Sequence, residues 1–336
     1  MNSLVNIHSG NDKPVKELVV ISGKGGTGKT SLVASFAALA KSAVLADCDV
    51  DAANLHLLAG PHVIRREPFT GGKRASINTT LCSACGHCED LCRFDAIHLN
   101  GPGNMVFAAT YQVDPMACEG CGVCAWFCPD QAIQLDPAIN GTWFVSDTRF
   151  GPMVHARLGA GEENSGKLVS LVRATAKQIA EERRIEIVLI DGSPGIGCPV
   201  IASMTGADLA LVVTEPTPSG LHDMQRVAEL TQHFGIAAAL CVNKWDIHPE
   251  MSKAIEAAAQ KRGLAVLGRI RYDPAVTEAQ IGEKTIVEYR QDGSAADIRK
   301  VWRQLHRWLS QSRSPSGVSQ TLAVSPAEQA ESASIQ

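Results

Sequence analysis

Two runs of cysteine and one run of glycine and lysine carry most of the chemistry in this sequence. Of its 11 cysteines, eight fall within residues 82–128. Cys82, Cys85, Cys88 and Cys92 follow a C-x2-C-x2-C-x3-C spacing, and Cys118, Cys121, Cys124 and Cys128 repeat it, with Pro129 closing the second run. Three thiolates this close, with a trailing fourth, are the spacing that ligates a cubane iron–sulfur cluster. Structural zinc sites use two separated pairs instead. The runs lie 36 residues apart, and Gly86 and Ala96-Ile97-x-Leu99 recur as Gly122 and Ala132-Ile133-x-Leu135. The block at 77–136 therefore reads as a short duplicated unit with its own ligand set.

The second constellation is Gly23-Lys24-Gly25-Gly26-Thr27-Gly28-Lys29-Thr30, which fits G-x-x-x-x-G-K-S/T. Its glycines let backbone N–H groups turn inward around phosphate oxygens. Lys29 is placed to reach the β/γ-phosphates, and Thr30 to ligate Mg²⁺. The helix that starts at Lys29 adds its positive N-terminal end. Asp47-Cys48-Asp49-Val50-Asp51 and Asp191-Gly192-Ser193-Pro194-Gly195 each follow an apolar strand pattern. Open α/β sheets collect their ligands at the carboxyl ends of strands. Asn243-Lys244-Trp245-Asp246 follows another strand and has the N-K-x-D form that reads guanine in many GTPases.

Lys24 makes the loop more particular. The form K-G-G-x-G-K-T resembles the deviant Walker A of the MinD/ParA/Mrp ATPases, a group that includes the nitrogenase iron protein. The resemblance implies that Lys24 crosses a dimer interface to the partner's nucleotide, in a nucleotide-sandwich homodimer or a dimer with a related ATPase. It also implies that Asp49 positions or activates the attacking water, that Asp191 lies near Mg²⁺ through water, and that Asn243 contacts adenine. ATP with Mg²⁺ is the expected ligand.

The cysteine runs resemble those of bacterial ferredoxins with two 4Fe-4S clusters. In that pattern the fourth cysteine of each run serves the other cluster. Cluster one then takes Cys82, Cys85, Cys88 and Cys128, and cluster two takes Cys118, Cys121, Cys124 and Cys92. One departure is Arg93, which follows Cys92 where the second run has proline. Cys198 stands seven residues after Asp191, a spacing similar to that of a cluster-ligating cysteine in the nitrogenase iron protein. Residues 137–190 hold no second cysteine, so a bridging four-thiolate cluster is not expected. Two readings of Cys198 remain: a thiol near the interface, or a packed small side chain. Cys48, between two aspartates, is expected to have a raised pKa. Cys241, on an apolar strand, is expected in the core.

These residues need elements to hold them. Glu17–Ile21, Ala43–Ala46, Ile185–Ile190, Ala207–Val213, Ala237–Val242 and Ala265–Ile270 read as strands. Lys29–Lys41, Lys167–Arg184, Ser219–Phe234, Met251–Arg262 and Ala295–Leu309 read as helices. The alternation predicts an α/β P-loop fold with a mostly parallel sheet, interrupted by a small α+β ferredoxin-like domain. Residues 15–76 and 137–309 form the expected ATPase domain, 77–136 the insert, 1–14 a flexible lead-in and 310–336 a disordered tail rich in serine. The last helix carries Ile298, Val301, Trp302, Leu305, Trp308 and Leu309 on one face. That face suits packing on the sheet, with a membrane-surface helix as the alternative.

Composition limits the function. The net charge of −4 gives no basic signal for nucleic acid. No apolar run reaches the roughly 18–20 residues of a membrane span. The first 16 residues lack the apolar core of a secretory signal, so a cytoplasmic location is expected. Dense cysteines there mean metal or redox chemistry rather than disulfides. The block at 77–136 has five Asp and two Glu against one Arg, a net −6, so an electron-transfer partner is expected to present a basic face. The leading expectation is an ATP-hydrolysing iron–sulfur protein that couples nucleotide state to electron transfer, with a redox protein as partner. The rival is an iron–sulfur or metallocofactor assembly ATPase, with a metallocofactor protein as client. A positioning ATPase ranks last, for want of a basic surface.

Overall fold

The computed structural model describes residues 14–159 and 165–311. The expected lead-in and tail fall almost wholly outside that range. In chain order the elements are β1 (Lys16–Ser22), α1 (Lys29–Ala40), β2 (Val44–Asp47), α2 (His56–Ala59), β3 (His62–Ile77), α3 (His87–Asp90), β4 (Ile97–Pro102), β5 (Ala109–Val113), α4 (Val123–Trp126), β6 (Ile133–Thr148) and β7 (Gly151–Leu158). They continue as α5 (Ser165–Arg183), β8 (Ile187–Pro194), α6 (Cys198–Met204), β9 (Leu209–Thr214), α7 (Pro218–His233), β10 (Ala238–Asn243), α8 (Pro249–Lys261), β11 (Ala265–Ile270), α9 (Ala275–Ile281), α10 (Ile286–Tyr289) and α11 (Gly293–Gln311).

Nine strands form one sheet in the order β11-β10-β9-β1-β8-β2-β7-β6-β3, and β4 pairs with β5 apart from it. From β11 to β7 each neighbouring pair is parallel. The central strands are continuous apolar runs because both faces are covered. Val19, Ile21, Val44, Val188 and Val212 pack with residues of α5 and α7. Leu18, Val20, Leu45, Leu189 and Leu211 pack with residues of α1 and α11 on the other side. Ile298, Val301, Trp302, Leu305 and Leu309 of α11 are buried there, and Trp302 stacks on Phe36 at 5.4 Å between ring centroids. The apolar face of α11 is thus spent on the core, which removes the membrane-surface alternative. Among the described residues, no helix is long and apolar enough to cross a membrane.

The far edge of the sheet departs from the expected pattern. No strand or helix is read from the sequence in residues 52–76 and 137–166, and β3 and β6, at 16 residues each, lie largely there. They pair antiparallel, and β6 pairs antiparallel with β7. Much of β3 is exposed and its chain contains Pro68, Gly71 and Gly72, so no period-two apolar alternation marks it. The pairing register shifts around Phe69–Gly72, where the buried Asn140 accepts N–H bonds from Gly71 at 3.1 Å and Gly72 at 2.8 Å through Oδ1. Such a bulge bends a ribbon.

The cysteine-rich block begins where β3 ends and closes just inside β6. It hangs on a two-stranded arm, not on linkers. Its two halves interlock. Ile77, at the end of β3, pairs with Ile133 at the start of β6, and Ile97 of β4 pairs with Val113 of β5. Asn78 N–H donates to Ala132 O at 2.8 Å, and the matching Asp114 N–H donates to Ala96 O at 2.7 Å. The backbone repeats in detail. Left-handed φ angles occur at Ala84 (52°) and Gly120 (64°), at Gly86 (86°) and Gly122 (81°), and at Asp95 and Gln131 (50° each). Gly86 and Gly122 cap the short helices α3 and α4, which is the conformational reason for glycine at both places.

Candidate functional site

The glycine-rich loop joins β1 to α1 at the carboxyl edge of the parallel sheet. Gly28 precedes α1 with φ 91°, and a side chain there would meet Asn243 Nδ2 at 2.6 Å. The Asn243 amide instead donates to Thr27 O at 2.8 Å, so the end of β10 is tied to the loop. Lys29 is buried, at 5% exposure. Thr30 Oγ1 donates to Asp191 Oδ2 at 2.6 Å. The structure thus brings Gly23–Thr30, Asp191 and Asn243 to one edge.

Asp191 lies inside β8 rather than beyond it, since that strand runs on to Pro194. The extension is held by Cys48 N–H donating to Asp191 O at 2.9 Å and by Gly195 N–H donating to Ser22 O at 2.9 Å. Asp191 is fully covered, at 1% exposure, and its Oδ1 has no hydrogen-bond partner. Burial pushes its carboxyl up to about 6, against the pull of Lys29 and the Thr30 hydroxyl. Asp47, its neighbour in register on β2, is raised well above the usual carboxylate range by burial and then by Asp191. Asp49 is half-buried and also raised, by burial, although Lys29 pulls it down. Asp49 and Asp191 both feel Lys29, and Asp191 keeps an orphaned buried oxygen beside the Thr30 hydroxyl, an anionic recess that suits a divalent cation held through water.

Lys24 does not reach outward in the single chain. Its Nζ lies 3.5 Å from Glu215 Oε2 and 3.4 Å from Ser219 Oγ. Lys244 Nζ holds the other Glu215 oxygen at 2.5 Å. Asp246 Oδ1 accepts from Tyr272 N–H at 2.7 Å. Glu215 and Asp47 were not expected as site residues. Glu215 follows β9 directly, so the strand-end rule that selects Asp191 would also have found it.

On the arm, Cys82, Cys85, Cys88 and Cys128 line one pocket, together with Tyr111, Ile77, Ile133 and Pro129. Three thiols come from the first run and one from the second. The crossing follows from the strand register: Ile77 and Ile133 pair, so the chain entering the first run lies beside the chain leaving the second. Cys92, Cys118 and Cys124 pack in the same small core, and Cys121 is exposed. Backbone N–H groups point at sulfur in both halves, from Ala96 to Cys92 at 3.4 Å and from Ala132 to Cys128 at 3.3 Å. Burial raises Cys88 to about 11, while the His87 ring beside Cys85 lowers that thiol. Among the described residues, no three His, Cys, Asp or Glu side chains close on a point that one ion could occupy.

The remaining thiols are plain. Cys198 begins α6 and is exposed. Cys48 is raised as expected, but burial is the main cause and the Asp47 charge comes second. Cys241 is buried and pushed up to about 12 by that burial.

This fold and site define a P-loop nucleotide-binding domain. The sequence matches the CobQ/CobB/MinD/ParA nucleotide binding domain over residues 18–286, and the chain belongs to that family. It is 34% identical to an uncharacterized protein of Methanocaldococcus jannaschii over 240 residues, covering 68% of this chain and 78% of that protein. A second uncharacterized protein of the same organism is 24% identical over 298 residues, 87% of this chain and 97% of that one. The fold is similar to the septum site-determining protein MinD of Pyrococcus horikoshii complexed with Mg-ADP, at a TM-score of 0.51, 18% identity and coverage of 88% of this chain and 97% of that one. It is also similar to a chain of the MinC:MinD cell division protein complex of Aquifex aeolicus, at 0.52 and 16%, covering 91% and 100%.

Proposed function

We propose that this protein is an ATPase of the MinD/ParA type that couples its nucleotide state to one-electron transfer through two 4Fe-4S clusters. The observation that carries the reading is the cavity lined by Cys82, Cys85, Cys88 and Cys128. A single ion needs thiolates about 2.3 Å from one point. These four surround a space instead, which suits a polynuclear cluster. The N–H groups aimed at Cys92 and Cys128 suit thiolates that carry charge. For the second cluster the matching half of the repeat supplies Cys118, Cys121 and Cys124, and the first half supplies Cys92. When bound, such clusters supply reversible one-electron storage.

On the nucleotide side, the loop amides and Lys29 hold the phosphates. Thr30 and the orphaned oxygen of Asp191 face the Mg²⁺ shell, and Asp49 orients water. ATP is the better fit than GTP. Asp246, which reads the base in N-K-x-D proteins, here spends Oδ1 on the backbone of Tyr272, and Lys244 is paired with Glu215. The P. horikoshii relative holds Mg-ADP in the same fold. The nucleotide-sandwich homodimer, or a dimer with a related ATPase, enters through Lys24. Hydrolysis would change the dimer contacts and, through β2, β7 and the arm, the presentation of the clusters to a redox partner.

The test is anaerobic purification with iron and sulfide analysis, followed by midpoint potentials without nucleotide, with Mg-ADP and with a non-hydrolysable Mg-ATP analogue. About eight iron atoms per chain are expected. An ATP-specific shift of about 59 mV would be a tenfold change in relative nucleotide affinity between redox states for a one-electron couple. A chain that binds zinc but no iron sinks the reading. The second reading is an iron–sulfur or metallocofactor assembly ATPase, in which a cluster must leave the chain. Transfer of iron to an apo-protein faster than to a chelator would select it.

A further inference from the structure

The two halves of the cysteine-rich unit share a backbone but not a surface. On α4 and just beyond it, Val123, Trp126 and Phe127 stand at helical spacing on one face, exposed by 39%, 86% and 60%. The positions 36 residues earlier, on and after α3, are His87, Asp90 and Leu91. The first half folds with a histidine and an aspartate at the places of Val123 and Trp126, so the fold does not require apolar side chains at those two, and the half-exposed Leu91 at the third is smaller than Phe127. Trp126 and Phe127 are large aromatics left in water, and the chain runs from them into Cys128 and Pro129, which line the cavity. Met116, ahead of the second cysteine run, is exposed by 66%. An apolar patch beside polar residues marks a contact site, and tryptophan dominates such contacts. The block around it is acidic, with Glu119 and Asp130 exposed and a net −6 over 77–136, against one exposed cation of the arm, Lys73, whose backbone lies against Gly120.

We infer that the face formed by Val123, Trp126 and Phe127 is the docking surface for a one-electron carrier protein whose redox centre lies behind a basic rim. The inference rests on the iron–sulfur reading above. It locates the exchange on the second half of the unit, between Cys124 and Cys128, one from each ligand set. One electron crosses the contact: one side is oxidised as the other is reduced, and no bond or proton moves. The acidic surround gathers and orients the carrier, and the aromatics close the contact against water.

The test uses the full-length protein, purified anaerobically with its iron counted, and cytochrome c as a basic one-electron probe. Affinity is measured by calorimetry at low and high salt. Trp126→Ala is expected to weaken binding about tenfold, and Phe127→Ser likewise, with iron content unchanged. Added salt should weaken the wild type. Leu91→Ala, at the position matching Phe127 in the other half, should leave affinity unchanged. Failure of the wild type to bind, equal affinity in the Trp126 and Phe127 variants, or an equal loss in the Leu91 variant overturns the inference while leaving the clusters standing. Self-association lost with Trp126→Ala reassigns the face to a second copy and overturns it too. A wild type without iron overturns this inference and the reading beneath it together.

Discussion

Thr30 Oγ1 donates to Asp191 Oδ2 at 2.6 Å, while the other oxygen of that carboxylate is buried with no partner. A buried carboxylate left half-satisfied destabilises the nucleotide-free fold, and the function of a P-loop site explains why it persists. Asp191→Asn keeps the shape and removes the charge from a recess already crowded by Asp47 and Asp49. The nucleotide-free variant should gain about 1–3 kcal/mol in stability. It should also lose the Mg²⁺-dependent part of its nucleotide affinity, about tenfold or more. Denaturant unfolding and nucleotide titration with and without Mg²⁺ read the two effects. A variant that loses stability and keeps Mg²⁺-dependent binding contradicts the assignment.

Lys24 is held within its own chain by Glu215, 3.5 Å away, and Glu215 is shared with Lys244. A lysine that reaches a partner's nucleotide must leave this contact. Partly exposed ion pairs contribute about 0–1 kcal/mol, so the hold is weak and reversible. Glu215→Gln should therefore strengthen ATP-dependent dimerisation by up to about fivefold. Lys24→Ala should abolish that dimerisation and leave nucleotide binding to the monomer within about twofold of wild type. Sedimentation with a non-hydrolysable ATP analogue separates the outcomes. A Lys24→Ala chain that still dimerises with nucleotide removes the sandwich from the proposal.

The sequence made the nucleotide edge legible because its signals are local. Gly23 to Thr30 must bend around phosphate, and runs such as Leu18–Ile21 must be buried on both faces. The strand end marks the position of Glu215 but not its role, which depends on Lys24 and Lys244, far apart in sequence and brought together by β1 and β10 on either side of β9. The arm was missed for a different reason. Strand β3 is mostly exposed and β6 only partly buried, and their prolines and glycines interrupt any apolar alternation. The cross-over of Cys128 into the first set was readable only through the resemblance to ferredoxins. The pairing of Ile77 with Ile133 gives it a geometric cause.

That cause makes a specific prediction about the two trailing cysteines. Cys128→Ser should disturb the cluster of Cys82, Cys85 and Cys88, and Cys92→Ser that of Cys118, Cys121 and Cys124. Each variant is expected to lose up to about half of its iron, from different clusters, since a cubane normally takes four thiolates. Electron paramagnetic resonance of the reduced variants tells the two apart. If Cys92→Ser and Cys128→Ser damage the same cluster, or each damages the run it belongs to, the crossed ligand sets are wrong.

His155 lies on the row of the sheet that runs from Asp191 to the arm. Asp191 pairs with Asp47, Asp47 with His155, His155 with Phe144 and Phe144 with Arg66. The block of cysteines begins 11 residues beyond that row, about 35 Å at extended spacing and less where the bulge at Asn140 bends the arm. Any coupling between nucleotide and clusters over that length is mechanical, and the row is where it enters the arm. The His155 ring stacks on Phe144 at 4.9 Å and lies 3.0 Å from Ser146 Oγ. Burial, then His56 and Arg157 nearby, lowers its pKa from 6.5 to about 4. The folded chain thus binds fewer protons here than the unfolded one, so stability is full above about pH 6.5 and is lost as pH falls toward 4. Partial exposure limits the effect to about 1–2 kcal/mol. His155→Gln keeps a polar partner for Ser146 and cannot titrate. Its unfolding free energy should fall less than the wild type's between pH 6.5 and 4, whatever its value at pH 7. Parallel acid limbs for the two proteins would mean that His155 is already charged in the fold, and that the row is wetter than its packing indicates.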